Sequence, residues 1–153
     1  MANQEIQDHM NKLVATEGVF YIRLHQFHWY VKGNNFFTLH EKFEELYDEV
    51  TESLDEVAER LLTIGGKPYS TLQEFIEHSV IEERAEDKDL SQEEMVDAVI
   101  TDLETIRELI VEGINLTDEH EDFPSNDLYI ATKDGIDKHL WMLNAFLGKE
   151  ANI

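Results

Sequence analysis

Four long stretches of this chain repeat their apolar residues at helical spacing, and almost nothing interrupts them. The first carries Ile6, Met10, Leu13, Phe20, Leu24, Phe27 and Val31 at separations of three, four or seven, up to the turn signal Gly33-Asn34-Asn35. The second carries Leu39, Phe43, Leu46, Val50, Leu54, Val57 and Leu61 and stops at Gly65-Gly66-Lys67-Pro68. A capping box, Ser91-Gln92-Glu93-Glu94, opens the third, with Val96, Val99, Leu103, Ile106, Ile110 and Ile114. The fourth follows a polar run, Thr117 to Ser125, that contains Pro124. It carries Leu128, Ala131, Met142, Leu143 and Phe146 and fades at Gly148. The only two prolines, Pro68 and Pro124, fall between stretches, so long helices are unhindered. Four apolar stripes must then be buried against one another.

The connections narrow the architecture. Residues 65–90 have a different texture from the stretches around them. Thr71-Leu72-Gln73-Glu74 is a capping box that predicts a short helix over 72–79, and the charged, apolar-poor segment Glu82 to Asp89 reads as loop. Short, long and short connections predict an all-α four-helix bundle of the ferritin-like arrangement, with a short helix in the long crossover between helices 2 and 3. Residues 1–153 are expected to form a single domain.

Set on the helices is a row of side chains suited to metals. His28 and Trp29 end the first stretch, and His40, Glu44, Asp55 and Glu59 follow on the second. Imidazole nitrogens and carboxylate oxygens are ligands for iron, manganese and zinc. His40 to Glu44 and Asp55 to Glu59 are both i,i+4 pairs, so each shares a face. At about 1.5 Å of rise per residue the two pairs lie roughly 16 Å apart along the axis, too far for one metal. The row is also turned about 130° away from the stripe headed by Leu39, at about 100° per residue. It shares that face with Phe37, Tyr47, Ala58 and Leu62, and apolar residues in such company are usually covered by something. Two half-sites, or one site completed by a second chain, remain open. Two copies of the second helix, antiparallel across a twofold axis, would bring His40 and Glu44 of one chain to Asp55 and Glu59 of the other. An intrasubunit di-iron centre would need Glu-x-x-His pairs on core faces, and the sequence has none. The remaining acids of this helix, Glu41, Glu45, Glu49, Glu52 and Glu56, read as a solvated face.

Charge and composition bear on partners. Twelve Lys and Arg against 34 Asp and Glu give a net charge of −22, a field that repels phosphate backbones and attracts cations. Met1 to Met10 holds no Lys or Arg and carries Glu5 and Asp8, so direct DNA binding is not expected. With no cysteine, disulfides, thiolate nucleophiles and Cys-based metal sites are excluded. No apolar run reaches membrane-spanning length and no signal-peptide core is visible, which leads to the expectation of a cytoplasmic protein with no membrane partner.

The motifs together resemble the Dps mini-ferritins. His28-Trp29, His40-x-x-x-Glu44 and Asp55-x-x-x-Glu59 are similar to that family's signature, as are Asn35-Phe36-Phe37-Thr38-Leu39-His40, Gly65-Gly66 and Ile136-Asp137-Lys138-His139-Leu140-Trp141. The resemblance covers nearly the whole chain. It implies a hollow homo-oligomer, a dodecamer, that oxidises Fe2+ preferentially with hydrogen peroxide and stores Fe3+ mineral. The implied ferroxidase site lies between twofold-related subunits, with His28, His40 and Glu44 from one chain and Asp55 and Glu59 from the other. Glu44 departs from the family, which usually has Asp there. Trp29 and Trp141 match aromatics near the site, and Trp29 with Tyr30 is placed to quench stray oxidising equivalents, although packing is the plainer role. The family's acidic threefold pore falls on Thr117 to Asp127, giving Asp118, Asp122 and Asp127 as candidate pore residues, with Phe123 at the family's middle position. An N-cap role competes at Asp127. Two alternatives are a nucleoid-binding stress protein whose main role is DNA protection, and a purely structural or signalling cage with a dead site.

Overall fold

In the computed structural model, which describes residues 4–151, the expected stretches become helices. They are α1 (Gln4–Tyr30), α2 (Phe36–Thr63), the short α3 (Leu72–His78), α4 (Gln92–Glu119) and α5 (Phe123–Phe146). No strand occurs among the described residues. α1 pairs with α2 and α4 with α5, α1 also packs on α4, and α3 lies across α1. The result is a four-helix bundle whose long connection, between α2 and α4, carries the short helix.

The element ends follow from local chemistry. α2 stops in a Schellman motif: Gly65 N–H donates to Leu62 O at 3.0 Å and Gly66 N–H to Leu61 O at 2.8 Å. Gly65 holds φ of 87°, a region closed to most side chains. The capping box at Ser91 forms in both directions, with Glu94 returning to the Ser91 backbone. At Thr71 the cap also forms, but Glu74 reaches the Ser70 N–H instead, at 3.1 Å.

Two boundaries differ from the sequence reading. The segment read as loop, Glu82 to Asp89, contains a 3₁₀ turn over Ala85–Asp89, and α4 runs on through Thr117 to Glu119. The 3₁₀ turn exists because of a long-range contact. Arg23, buried in α1, donates through Nε to Asp102 on α4 at 2.6 Å and through its guanidinium to Asp87 of the turn at 3.0 Å. No local pattern announces that pairing.

The core is one cluster running the length of the bundle, with Phe20, Phe27 and Phe43 as its largest buried side chains and Val99, Ile110, Leu140 and Leu143 facing them. α1 is buried on more sides than its stripe suggests, because the crossover covers its outer face. A methyl group at Gly18 would meet Phe75 of α3 at 2.4 Å, so the glycine is what lets α3 sit down.

Candidate metal centre

His28 and His40 come together at the α1–α2 turn and hold each other. His28 Nδ1 lies 2.6 Å from the His40 backbone oxygen, and His40 Nδ1 lies 2.8 Å from the His28 backbone oxygen. A carbonyl only accepts, so each Nδ1 carries the proton and donates it. In each neutral ring the lone pair is therefore left on Nε2, the arrangement that readies histidine for a metal. The two rings stack at 3.7 Å between centroids, 13° from parallel. Phe36 stacks beyond His40 at 5.0 Å.

Glu44, one turn on, places Oε1 4.0 Å from His28 Nε2. It accepts a hydrogen bond from the Tyr47 hydroxyl at 3.1 Å, which fixes the carboxylate on the histidine side. Desolvation and the Glu44 bond hold the Tyr47 phenol above its usual range, so it stays a donor. Tyr47 in turn stacks on His25 at 3.7 Å, and Trp29 meets His25 at 5.4 Å. An aromatic chain thus runs from Trp29 through His25 and Tyr47 to the Glu44 carboxylate. Sequence reasoning gave His25 no role; its i−3 spacing from His28 was the available signal.

Asp55 and Glu59 lie further along α2, exposed, and their carboxylates take no hydrogen-bond or ion-pair partner among the described residues. They do not join His28, His40 and Glu44 within the chain. The ends of α1 and α2 also leave large apolar side chains uncovered: Phe37 is 81% exposed, Trp29 62% and Leu62 59%. Trp141 is also exposed, on α5, and makes no ring contact with the histidines among the described residues. The expected pore acids divide. Asp118 lies in the last turn of α4 and Asp127 in α5, both exposed. Asp122 is the N-cap of α5, accepting from Ser125 N–H at 3.3 Å, and is paired with Arg60 at 3.1 Å. The cap is thus Asp122 rather than Asp127.

The other α2 acids named in the sequence face solvent, but two of them do more than that. Glu45 and Glu49 meet the buried His139 of α5, with ligand atoms of all three within 4.8 Å of one another. The reason is that α5 lies against this side of α2.

The ferritin-like domain family matches this chain over residues 7–153. The "DNA protection during starvation protein" of Listeria innocua serovar 6a (strain ATCC BAA-680 / CLIP 11262) is 48% identical over 145 residues, 95% of this chain and 93% of that one. "General stress protein 20U" of Bacillus subtilis (strain 168) is 46% identical over 148 residues, 97% of this chain and 100% of that one. A solved structure of Dps from Listeria innocua soaked with cobalt superimposes with a TM-score of 0.94 at 46% identity, covering 97% of this chain and 96% of that one. No described helix is long and apolar enough to cross a membrane.

Proposed function

Since the chain belongs to the Dps family of ferritin-like proteins, we propose that it is a ferroxidase that binds Fe2+ between two subunits and stores the Fe3+ product inside a homo-oligomeric cage. The observation that carries this reading is the divided ligand set. One chain sets Glu44 4.0 Å from His28 Nε2 with the His40 ring stacked on His28, and leaves Asp55 and Glu59, roughly 16 Å down the same helix, without partners among the described residues. An antiparallel twofold contact of α2 with its copy joins the halves and covers Phe37 and Leu62 at once. A dodecamer would enclose the product.

The donors suit the task. Neutral imidazoles with carboxylates match Fe2+, and the carboxylates grow more favourable as the ion gains charge. Two Fe2+ surrender two electrons to one hydrogen peroxide; with two protons this gives two Fe3+ and two water molecules. Paired transfer avoids the hydroxyl radical that a single electron would release. The net charge of −22 concentrates Fe2+ near the surface. Such chemistry belongs in the cytoplasm, where it would protect against oxidative damage. The starvation and DNA-protection names of the relatives suit the same role without DNA contact.

Complementation tests the shared site. A His40→Ala/Glu44→Ala variant and an Asp55→Ala/Glu59→Ala variant should each lose most fast Fe2+ oxidation, because every interface lacks half its ligands. Unfolded together and reassembled, a mixed pair carries both intact halves at one of its two sites. Oxidation should then return to a fraction of wild type. Mixed cages verified by mass that show no recovery would place all ligands in one chain.

A further inference from the structure

Away from the histidine pair, a cavity of about 220 Å³ opens among α1, α2, α4 and α5. Its polar wall is made by Glu17 from α1, by Glu49, Ser53 and Glu56 from α2, and by His139 from α5. The volume equals roughly seven water molecules at about 30 Å³ each, room for an ion with part of its hydration shell. Two features of this wall are out of place in an ordinary core. Glu17 is only 4% exposed, yet its Oε1 has no hydrogen-bond partner, and neither has the nearby Ser53 Oγ. A buried carboxyl oxygen without a partner is costly and rare. At the other end His139, 5% exposed, pairs through Nε2 with Glu49, and Glu45 stands beside them.

We propose that this cavity is a second metal site, internal to one subunit, which takes a partly hydrated first-row divalent cation on Glu49 and His139 Nε2, with Glu45 beside them and Glu17 as the carboxylate on the inner wall. Imidazole and carboxylates at one point select that class of ion. The inference stands independently of the intersubunit site, since it uses none of that site's residues.

Lys42 is the built-in competitor. Its ammonium donates to His139 Nδ1 at 3.1 Å and to Glu45 at 3.4 Å. An ammonium only donates, so Nδ1 accepts and the ring proton sits on Nε2, directed at Glu49. To ligate through Nε2, the neutral ring must carry its proton on Nδ1 instead. That nitrogen can then no longer accept from Lys42, and the ammonium must withdraw. Cation and Lys42 thus exchange at one place, each balancing the same acids.

Equilibrium dialysis of the assembled, chelator-stripped protein against Co2+ tests this. The background carries His28→Ala, His40→Ala, Glu44→Gln, Asp55→Asn and Glu59→Gln, which removes the intersubunit ligands. About one Co2+ per chain should remain, and anomalous diffraction should place it between Glu49 and His139. Glu49→Gln, at a half-exposed residue with little structural cost, should abolish binding, as should His139→Asn. Glu17→Gln should weaken binding about tenfold, and Lys42→Met should tighten it about tenfold through loss of a nearby like charge. A merely structural Lys42 would not move affinity in that direction. No Co2+ retained in the background, retention that Glu49→Gln leaves unchanged, or an anomalous peak elsewhere would each overturn the proposal.

Discussion

Glu17 puts a carboxyl where a carboxylate is expensive. Burial, reinforced by the neighbouring Glu56 charge, lifts its pKa from 4.5 to about 8, against the milder opposing effect of Ser53. The acid's folded pKa is above its unfolded one, so between those values the folded chain holds more protons. Stability therefore falls as pH rises from 4.5 to about 8 and levels off above that. The full cost is at most about 5 kcal/mol per chain, at about 1.4 kcal/mol per unit. Glu17→Gln keeps the shape and removes the charge. In metal-free buffer the variant's melting temperature should exceed that of wild type at about pH 9 and match it near pH 5; a difference that does not change with pH would show that Glu17 pays no such cost. The candidate ligand row was legible at this scale because helical spacing fixes which side chains share a face. Glu17 was not, since burial of one acid among 34 depends on which helices meet over it.

At the scale of elements, helix spacing and caps were readable because they are local: Ser91, Thr71 and the Gly65-Gly66 stop all formed where the sequence put them. The crossover was harder, since its shape is dictated by Arg23, a residue more than 60 positions away from Asp87. Removing that guanidinium strands two buried carboxylates. Arg23→Leu should cost about 3–5 kcal/mol and expose the crossover to proteolysis first, read by denaturant unfolding and limited digestion. A loss below about 1 kcal/mol would mean the pair contributes little beyond its packing. The α4–α5 turn separates function from structure in a similar way. Asp118→Asn with Asp127→Asn should slow iron uptake at low Fe2+ and leave the melting temperature unchanged, if these acids line an entry pore. Asp122→Asn disturbs a cap and the Arg60 pair, and should destabilise by about 1 kcal/mol whether or not it faces a pore.

For the whole molecule, charge sets the expectation. A net −22 on each chain multiplies in an assembly, and Met1 to Met10 offers no cation to offset it. Residues 1–3 of that segment lie outside the described structure. The assembled protein should leave plasmid DNA unshifted in a gel at physiological salt with chelator present. Clear retardation there would restore DNA binding as a direct role. Chelator matters because divalent ions can bridge two anionic surfaces. The idea of a site shared with a partner came from spacing alone, whereas the number of subunits has no such signal, because cage closure depends on contact angles that no periodicity encodes.

The reciprocal clasp of His28 and His40 has a bearing on when the site comes into being. Both rings are aimed by backbone oxygens of the first hairpin, so this half is set as soon as α1 and α2 close. In the proposed intersubunit site, the other half arrives only with a second chain. A newly made subunit would thus be primed yet inert, able to hold its ligands in place but unable to start redox chemistry in the open. Under the proposed reading, reactivity is licensed by assembly itself: iron is oxidised only where there is already a wall to deposit it behind.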